Sequence, residues 1–275
     1  MVSVEAALVA VERAVVGSRR VDVDYKRATG RRVMDSDKEK LLNEFVERMR
    51  KVAGTNLQSV ILYGSAAAGD YVSEHSDVNL LCLLGETSFA AIQTIAPVIE
   101  WWGALKHRPP LLLSAEEVTQ SVDVFSIEFL DMRRNYKLLF GNDALKTLEI
   151  PMRWHRAQLE YELREKTILL RQRLLTVSGD NAKWDLLLHS VPAFGTLFRH
   201  SLIALGDLAP GSTREAANAL AGKLNIDISS FQELLDIRER KTDRSSVKVD
   251  EIFARYLKLV QEATSAVNQM LDPAA

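Results

Sequence analysis

The chain has 275 residues, 47% hydrophobic and 26% charged, with a formal net charge of −2. That balance belongs to a globular chain able to bury a sizeable core in one large or two modest domains, and it excludes a strongly basic protein built to coat nucleic acid. The single cysteine, Cys82, excludes an internal disulfide and suits a reducing compartment.

Val4, Leu8, Val11 and Val15 recur at helical spacing and predict an N-terminal helix. Glu5 and Glu12 interrupt its apolar stretch, unlike the unbroken apolar run of a signal peptide. No apolar run reaches the ~18 to 20 residues needed to span a bilayer. A cytoplasmic protein without a membrane partner is the expectation. A polar connector, VDVDYKRATGRR, follows. From Ser36, with Glu39 three residues on as in a capping box, a helix is predicted through Leu41, Leu42, Phe45, Val46 and Met49, stopping at Gly54.

Val60 to Tyr63 form a short run of strand type ending at Gly64-Ser65. AAAGDYV reads as a short helix or turn, and DVNLLCLL as a second strand. Ser88 to Leu105 is helical in spacing, and Trp101-Trp102 should pack on the sheet. PPLLLS reads as a third strand, Ala115 to Gln120 as a helical turn, and VDVFSIEFL, rich in β-branched and aromatic residues, as a further strand. RNYKLLFGND closes this half.

Beyond Pro151 nearly every segment is helical. A long amphipathic stretch carries Leu159, Leu163, Ile168, Leu169 and Leu175. A second helix runs through WDLLLHSVPAFGTLFRHSLIALGD, where Pro192 and Gly195 predict a kink. Helices around Thr213 to Leu224, Ser229 to Arg240 and Val249 to Met270 complete the chain. The expected fold class is α/β (α+β), a mixed sheet with flanking helices over residues 1–145, followed by an all-α helical bundle over 146–275.

The chemistry concentrates in LYGSAAAGDYVSEHSDVNLLCLL. A strand ending in Gly64-Ser65 offers a close backbone approach, exposed N–H groups and a hydroxyl, all suited to phosphate oxygens. Asp77 and Asn79 lie two apart at the opening of the next strand and so face the same side. Two oxygen-bearing side chains so placed can hold a hard cation such as Mg²⁺.

This segment resembles the nucleotide-binding motif of the polymerase-β-type nucleotidyltransferase superfamily: a strand, Gly-Ser, a gap of about ten residues, then a strand opening Asp-x-Asp. Gly64, Ser65 and Asp77 match, as do Gly69 and Ser76, and the resemblance covers roughly Leu41 to Asp143. It implies a nucleotidyltransferase-fold sheet, an NTP as substrate or ligand, and Mg²⁺ held by Asp77, Asn79 and a third carboxylate on a later strand. Glu128 is the first choice for that third group, as metal ligand or general base, with Asp131 second and Asp123 also available. Gly64 and Ser65 would hold the nucleotide, and Asp77 and Glu128 would be catalytic. The acceptor would be a hydroxyl of a small molecule or protein, by similarity to aminoglycoside nucleotidyltransferases, which also carry a helical second half. Nucleic acid is not an expected partner, and a homo-oligomer is left open.

The chain departs from the motif at two points. Asn79 stands where the second aspartate belongs, which removes a charge and weakens any hold on divalent metal. Ala68 replaces a basic residue that would meet phosphate. The alternative function is therefore a catalytically degenerate member acting in nucleotide binding, regulation or protein association. Arg133, Arg134 and Lys137 form a basic cluster that reads either as a solvated face or as a phosphate contact. The five histidines lack metal-motif spacing and read as packing or surface residues, and Cys82 reads as a small buried hydrophobe.

Overall fold

The computed structural model of the chain describes residues 36–68, 78–207 and 211–271. They divide into two compact units, 36–151 and 152–271. The first is mixed α/β and the second all helical. The N-terminal segment read as a helix around Val4 to Val15 lies outside the described residues.

The α/β unit begins with α1 (Ser36–Ala53), whose Leu42, Phe45, Val46 and Met49 recur every three or four residues and are all buried. The α-helix ends at Ala53, and Gly54 follows at φ 54. A short 3-10 turn then leads into β1 (Leu57–Tyr63). After α2 (Ser65–Ala68) the chain returns as β2 (Asn79–Leu84), α3 (Phe89–Ala104), β3 (Leu111–Ser114), α4 (Ala115–Gln120), α5 (Ser126–Arg134) and β4 (Tyr136–Gly141). The sheet order is β3-β2-β1-β4. β1 runs antiparallel to both neighbours, and β2 and β3 run parallel.

Strand alternation sorts the sheet's side chains into two cores. Val60, Leu62, Leu80, Cys82 and Leu84 meet the buried faces of α1 and α3. Ile61, Leu81 and Leu83 meet Val118 of α4 and Phe129 and Met132 of α5. Trp102 anchors the first core: its ring centroid is 4.8 Å from that of Phe45, and its Nε1–H donates to the Arg108 carbonyl at 2.9 Å. Trp101, half-buried, lies under the Arg48 guanidinium at 4.2 Å.

Two sequence expectations change here. VDVFSIEFL is not a strand. Residues 121–124 form a turn, and α5 follows. Ser126, Phe129 and Met132 are buried at a spacing of three, so packing against the sheet overrides the strand propensity of the residues. The extra strand is instead β4, formed by YKLLFG, a segment whose sequence pattern marks only the close of this half. Its last residue, Gly141, has φ 78, and a Cβ there would lie 1.9 Å from the Gln58 carbonyl oxygen. Only glycine fits so close to β1.

The helical unit comprises α6 (Met152–Thr176), α7 (Asp180–Ala204), α8 (Thr213–Leu224), α9 (Ser229–Arg238) and α10 (Val249–Leu271). α7 runs through Pro192 as one uninterrupted helix. Its Phe194 and Phe198 join Phe231 of α9 and Tyr256 of α10 in one aromatic cluster, with the Phe198 and Phe231 centroids 5.1 Å apart. The Ser190 hydroxyl donates to the Tyr256 phenol oxygen at 2.9 Å, satisfying a fully buried group. Ser212 and Glu215 form a reciprocal capping box at the start of α8. No helix among the described residues is long and apolar enough to cross a membrane.

Phe231 is fully buried at the centre of this cluster. Phe231→Ala should cost about 3 to 5 kcal/mol of unfolding free energy by urea titration. Cys82 is completely buried, and burial pushes its thiol well above the ordinary range. Native protein should therefore resist thiol-reactive disulfide reagents, with labelling appearing in step with unfolding in a urea series.

Candidate functional site

The candidate site forms at one end of the sheet, where three strand termini meet. Tyr63 ends β1. It pairs on one side with Asn79, the first residue of β2, and on the other with Tyr136, the first residue of β4. Alternation from Ile61 and Leu81 places Tyr63 and Asn79 on the face covered by α4 and α5.

Gly64 then turns the chain with φ 79, a conformation glycine adopts without penalty. Its N–H donates to the Asn135 carbonyl at 2.9 Å, and its carbonyl accepts from the Ala67 N–H at 3.0 Å as α2 begins. A Cβ on Gly64 would lie 3.2 Å from Asn79 Nδ2. The Asn79 amide thus rests directly against the Gly64 backbone. Asn79, which stands where the resembled motif has its second aspartate, is thus held beside the turn.

Of the residues expected from the sequence, the structure brings Gly64, the Ser65 backbone and Asn79 together. Asp77, with Gly69 and Ser76, lies outside the described residues. Glu128 needs a correction: it sits in the first turn of α5, not mid-strand. Strand alternation therefore does not aim it. Its neighbours Ile127 and Phe129 are both buried, as a helix allows and an alternating strand facing away from Glu128 also would. Asp131 lies on the same helix and Asp123 is exposed in the preceding turn. The two strands beside β2, namely β1 and β3, carry no carboxylate. Among the described residues, no three His, Cys, Asp or Glu side chains gather as a metal site. The described donors thus do not by themselves fit a divalent ion.

The expected basic cluster is engaged elsewhere in part. Arg133 Nη1 donates to the Leu148 carbonyl at 2.9 Å, and Lys137 Nζ lies 3.5 Å from Glu39. A different cation bears on the site. Burial pushes the Tyr63 phenol up to about 12, and the nearby charge of Arg108 opposes that rise. Arg108 was not singled out from the sequence. The signal available was its position immediately before the Pro-Pro-Leu-Leu-Leu strand, beside the Asp-x-Asn strand.

No family model matches the chain, and no curated protein is significantly similar to it.

The α/β unit carries a second feature, separate from this corner. An open groove of about 1200 Å³ runs along α1 and α3, lined among others by Arg48, Lys51, Pro97 and Phe140. It contains none of the motif residues. In the helical unit, His155 Nε2 and His200 Nδ1 are 2.9 Å apart and fully buried, a polar contact inside the bundle that joins α6 to α7.

Gly64→Ala should cost about 1 to 2 kcal/mol in chemical denaturation, because alanine resists a left-handed φ and its methyl group crowds the Asn79 amide. Tyr63 should also shape stability at alkaline pH. Its folded pKa stands above the unfolded value of 10.0, so its contribution is complete below pH 10 and is lost as pH rises toward about 12. Tyr63→Phe should make the fall in Tm across that interval shallower.

Proposed function

We propose that the α/β unit binds the phosphates of a nucleoside triphosphate at the corner made by Gly64, Ser65 and Asn79, on a scaffold of polymerase-β nucleotidyltransferase type whose transfer chemistry is lost. The observation that carries this reading is the Gly64 turn itself. A left-handed glycine ends the central strand, and the amide of the motif's altered residue lies against it. Such a turn lets a bulky anion come close to backbone N–H groups.

Two features favour binding over transfer. Asn79 supplies a neutral carbonyl oxygen where the motif expects a carboxylate, and hard divalent cations prefer carboxylates. The expected third carboxylate, Glu128, stands on a helix, while the two strands next to β2 have none. Asp77 and Asn79 are the residues that would hold Mg²⁺, which when bound would neutralise phosphate charge. Gly64 and Ser65 would orient the triphosphate. The ligand is a nucleotide, and the outcome is occupancy rather than release of pyrophosphate. Occupancy of the α/β unit would then be the signal passed to a partner or acceptor protein.

Calorimetric titration of ATP and GTP, with pyrophosphate release followed in parallel, tests this. Wild type should bind at least one nucleotide without releasing pyrophosphate. Asn79→Asp, which keeps the side-chain shape, should raise the Mg²⁺ dependence of binding, and Asp77→Ala should reduce it. Mg²⁺-dependent pyrophosphate release by wild type, abolished in Asp77→Ala, would instead establish an active transferase. Absence of nucleotide binding in both wild type and Asn79→Asp would sink the reading.

A further inference from the structure

The altered corner has fewer negative charges than the motif requires, and the sheet topology sets a cationic residue, Arg108, at the same end of the sheet. β2 and β3 run parallel with Leu81 opposite Leu111, so the chain enters β3 at the same sheet end at which Asn79 opens β2. β1 is antiparallel to β2, and so it finishes, at Tyr63 and Gly64, at that same end. Three elements therefore converge: the end of β1, the start of β2 and the lead-in to β3.

Arg108 is held there by its backbone. Its carbonyl accepts the Trp102 Nε1 proton at 2.9 Å, and the ring of its neighbour His107 stacks on Trp102 with centroids 4.3 Å apart. Trp102 is fully buried in the core between sheet and helices. The side chain is half-buried, and its charge is felt at the phenol of Tyr63, the strand partner of Asn79 and the residue before Gly64. A cation on a rigid lead-in, beside a turn that lets an anion approach, is the arrangement that phosphate recognition uses. The planar guanidinium offers paired donors to phosphate oxygens.

We infer that Arg108 supplies the phosphate-holding charge at the Gly64–Asn79 corner, so that the site takes a polyphosphate anion directly, without needing a divalent cation. The substitution of Asn for Asp at position 79 then has a second meaning. It removes a carboxylate that would repel a phosphate arriving without its metal. The pair Asn79 and Arg108 converts a corner designed for a metal–phosphate complex into one for the bare anion. This rests on the nucleotide-binding reading above and specifies how the ligand is held.

The test is titration of ATP and of inorganic tripolyphosphate in EDTA, on wild type, Arg108→Met and Arg108→Lys, each checked for folding by its thermal transition. Wild type should bind ATP in EDTA within about threefold of its affinity with Mg²⁺. Arg108→Met should weaken binding about tenfold or more, the usual loss for a hydrogen bond to a charged group, and Arg108→Lys should recover part of it. Equal binding of tripolyphosphate and ATP would mark the ligand as any polyphosphate, and preference for ATP would mark a nucleotide; both support the inference. Binding to wild type that vanishes in EDTA, or that survives unchanged in a folded Arg108→Met, overturns it while leaving nucleotide binding standing. Binding of neither ligand, with or without metal, overturns both.

Discussion

The central strand β1 is the constraint on which the α/β unit depends. It is hydrogen-bonded on both edges and covered on both faces, so Leu57, Val60, Ile61 and Leu62 all sit in the interior. A strand so placed cannot slip: a shift of one residue would exchange its two apolar sets between cores that are differently shaped. Even Ser59 is fully buried, and its hydroxyl is satisfied by the Phe140 carbonyl of β4 at 3.2 Å. The end point of this strand is therefore fixed in space, and with it Tyr63 and Gly64. The candidate corner at the end of a fixed strand inherits that rigidity.

The same logic explains why one core tryptophan matters at a distance. Trp102 fills the space under the sheet through contact with Phe45, and it also fixes the backbone of Arg108. Packing and electrostatics are thereby joined in one residue. A change at Trp102 would loosen a cavity-sized volume of core and would also release the cation that stands beside Tyr63.

Much of the fold was legible in the sequence where one signal dominated. The apolar spacing of α1, the run Val60 to Tyr63 and the residues Asn79 to Leu84 of DVNLLCLL lie where the sequence pattern places them, and the switch to an all-helical second unit follows the change in composition near Pro151. The failure at VDVFSIEFL has a physical cause. Its nine residues have strand propensity, yet Ser126, Phe129 and Met132 also form a helical stripe, and the sheet had an open face requiring a helix. Local preference could not reveal which demand prevailed. β4 was missed for the converse reason: Lys137 and Leu138 are exposed on an edge strand, so YKLLFG shows no alternation. At the candidate site, Gly64 and Asn79 were readable because their spacing is a chain property. Arg108 was not, because only the parallel pairing of β2 with β3 sets its lead-in at the same end of the sheet.

The pairing of β1 with β4 sets the order in which the chain can mature. Ser59 of β1 meets Gly141 of β4, so one edge of the central strand stays open until the whole intervening segment has been made and folded. On the ribosome, β1 and β2 emerge early and can pair at once, while the other edge of β1 waits as an unpaired row of apolar strand backbone. That pairing ends on Gly141, the residue whose missing Cβ permits the approach to Gln58. Closure of the sheet thus waits on the synthesis of residues 136–141 and turns on a single residue without a side chain.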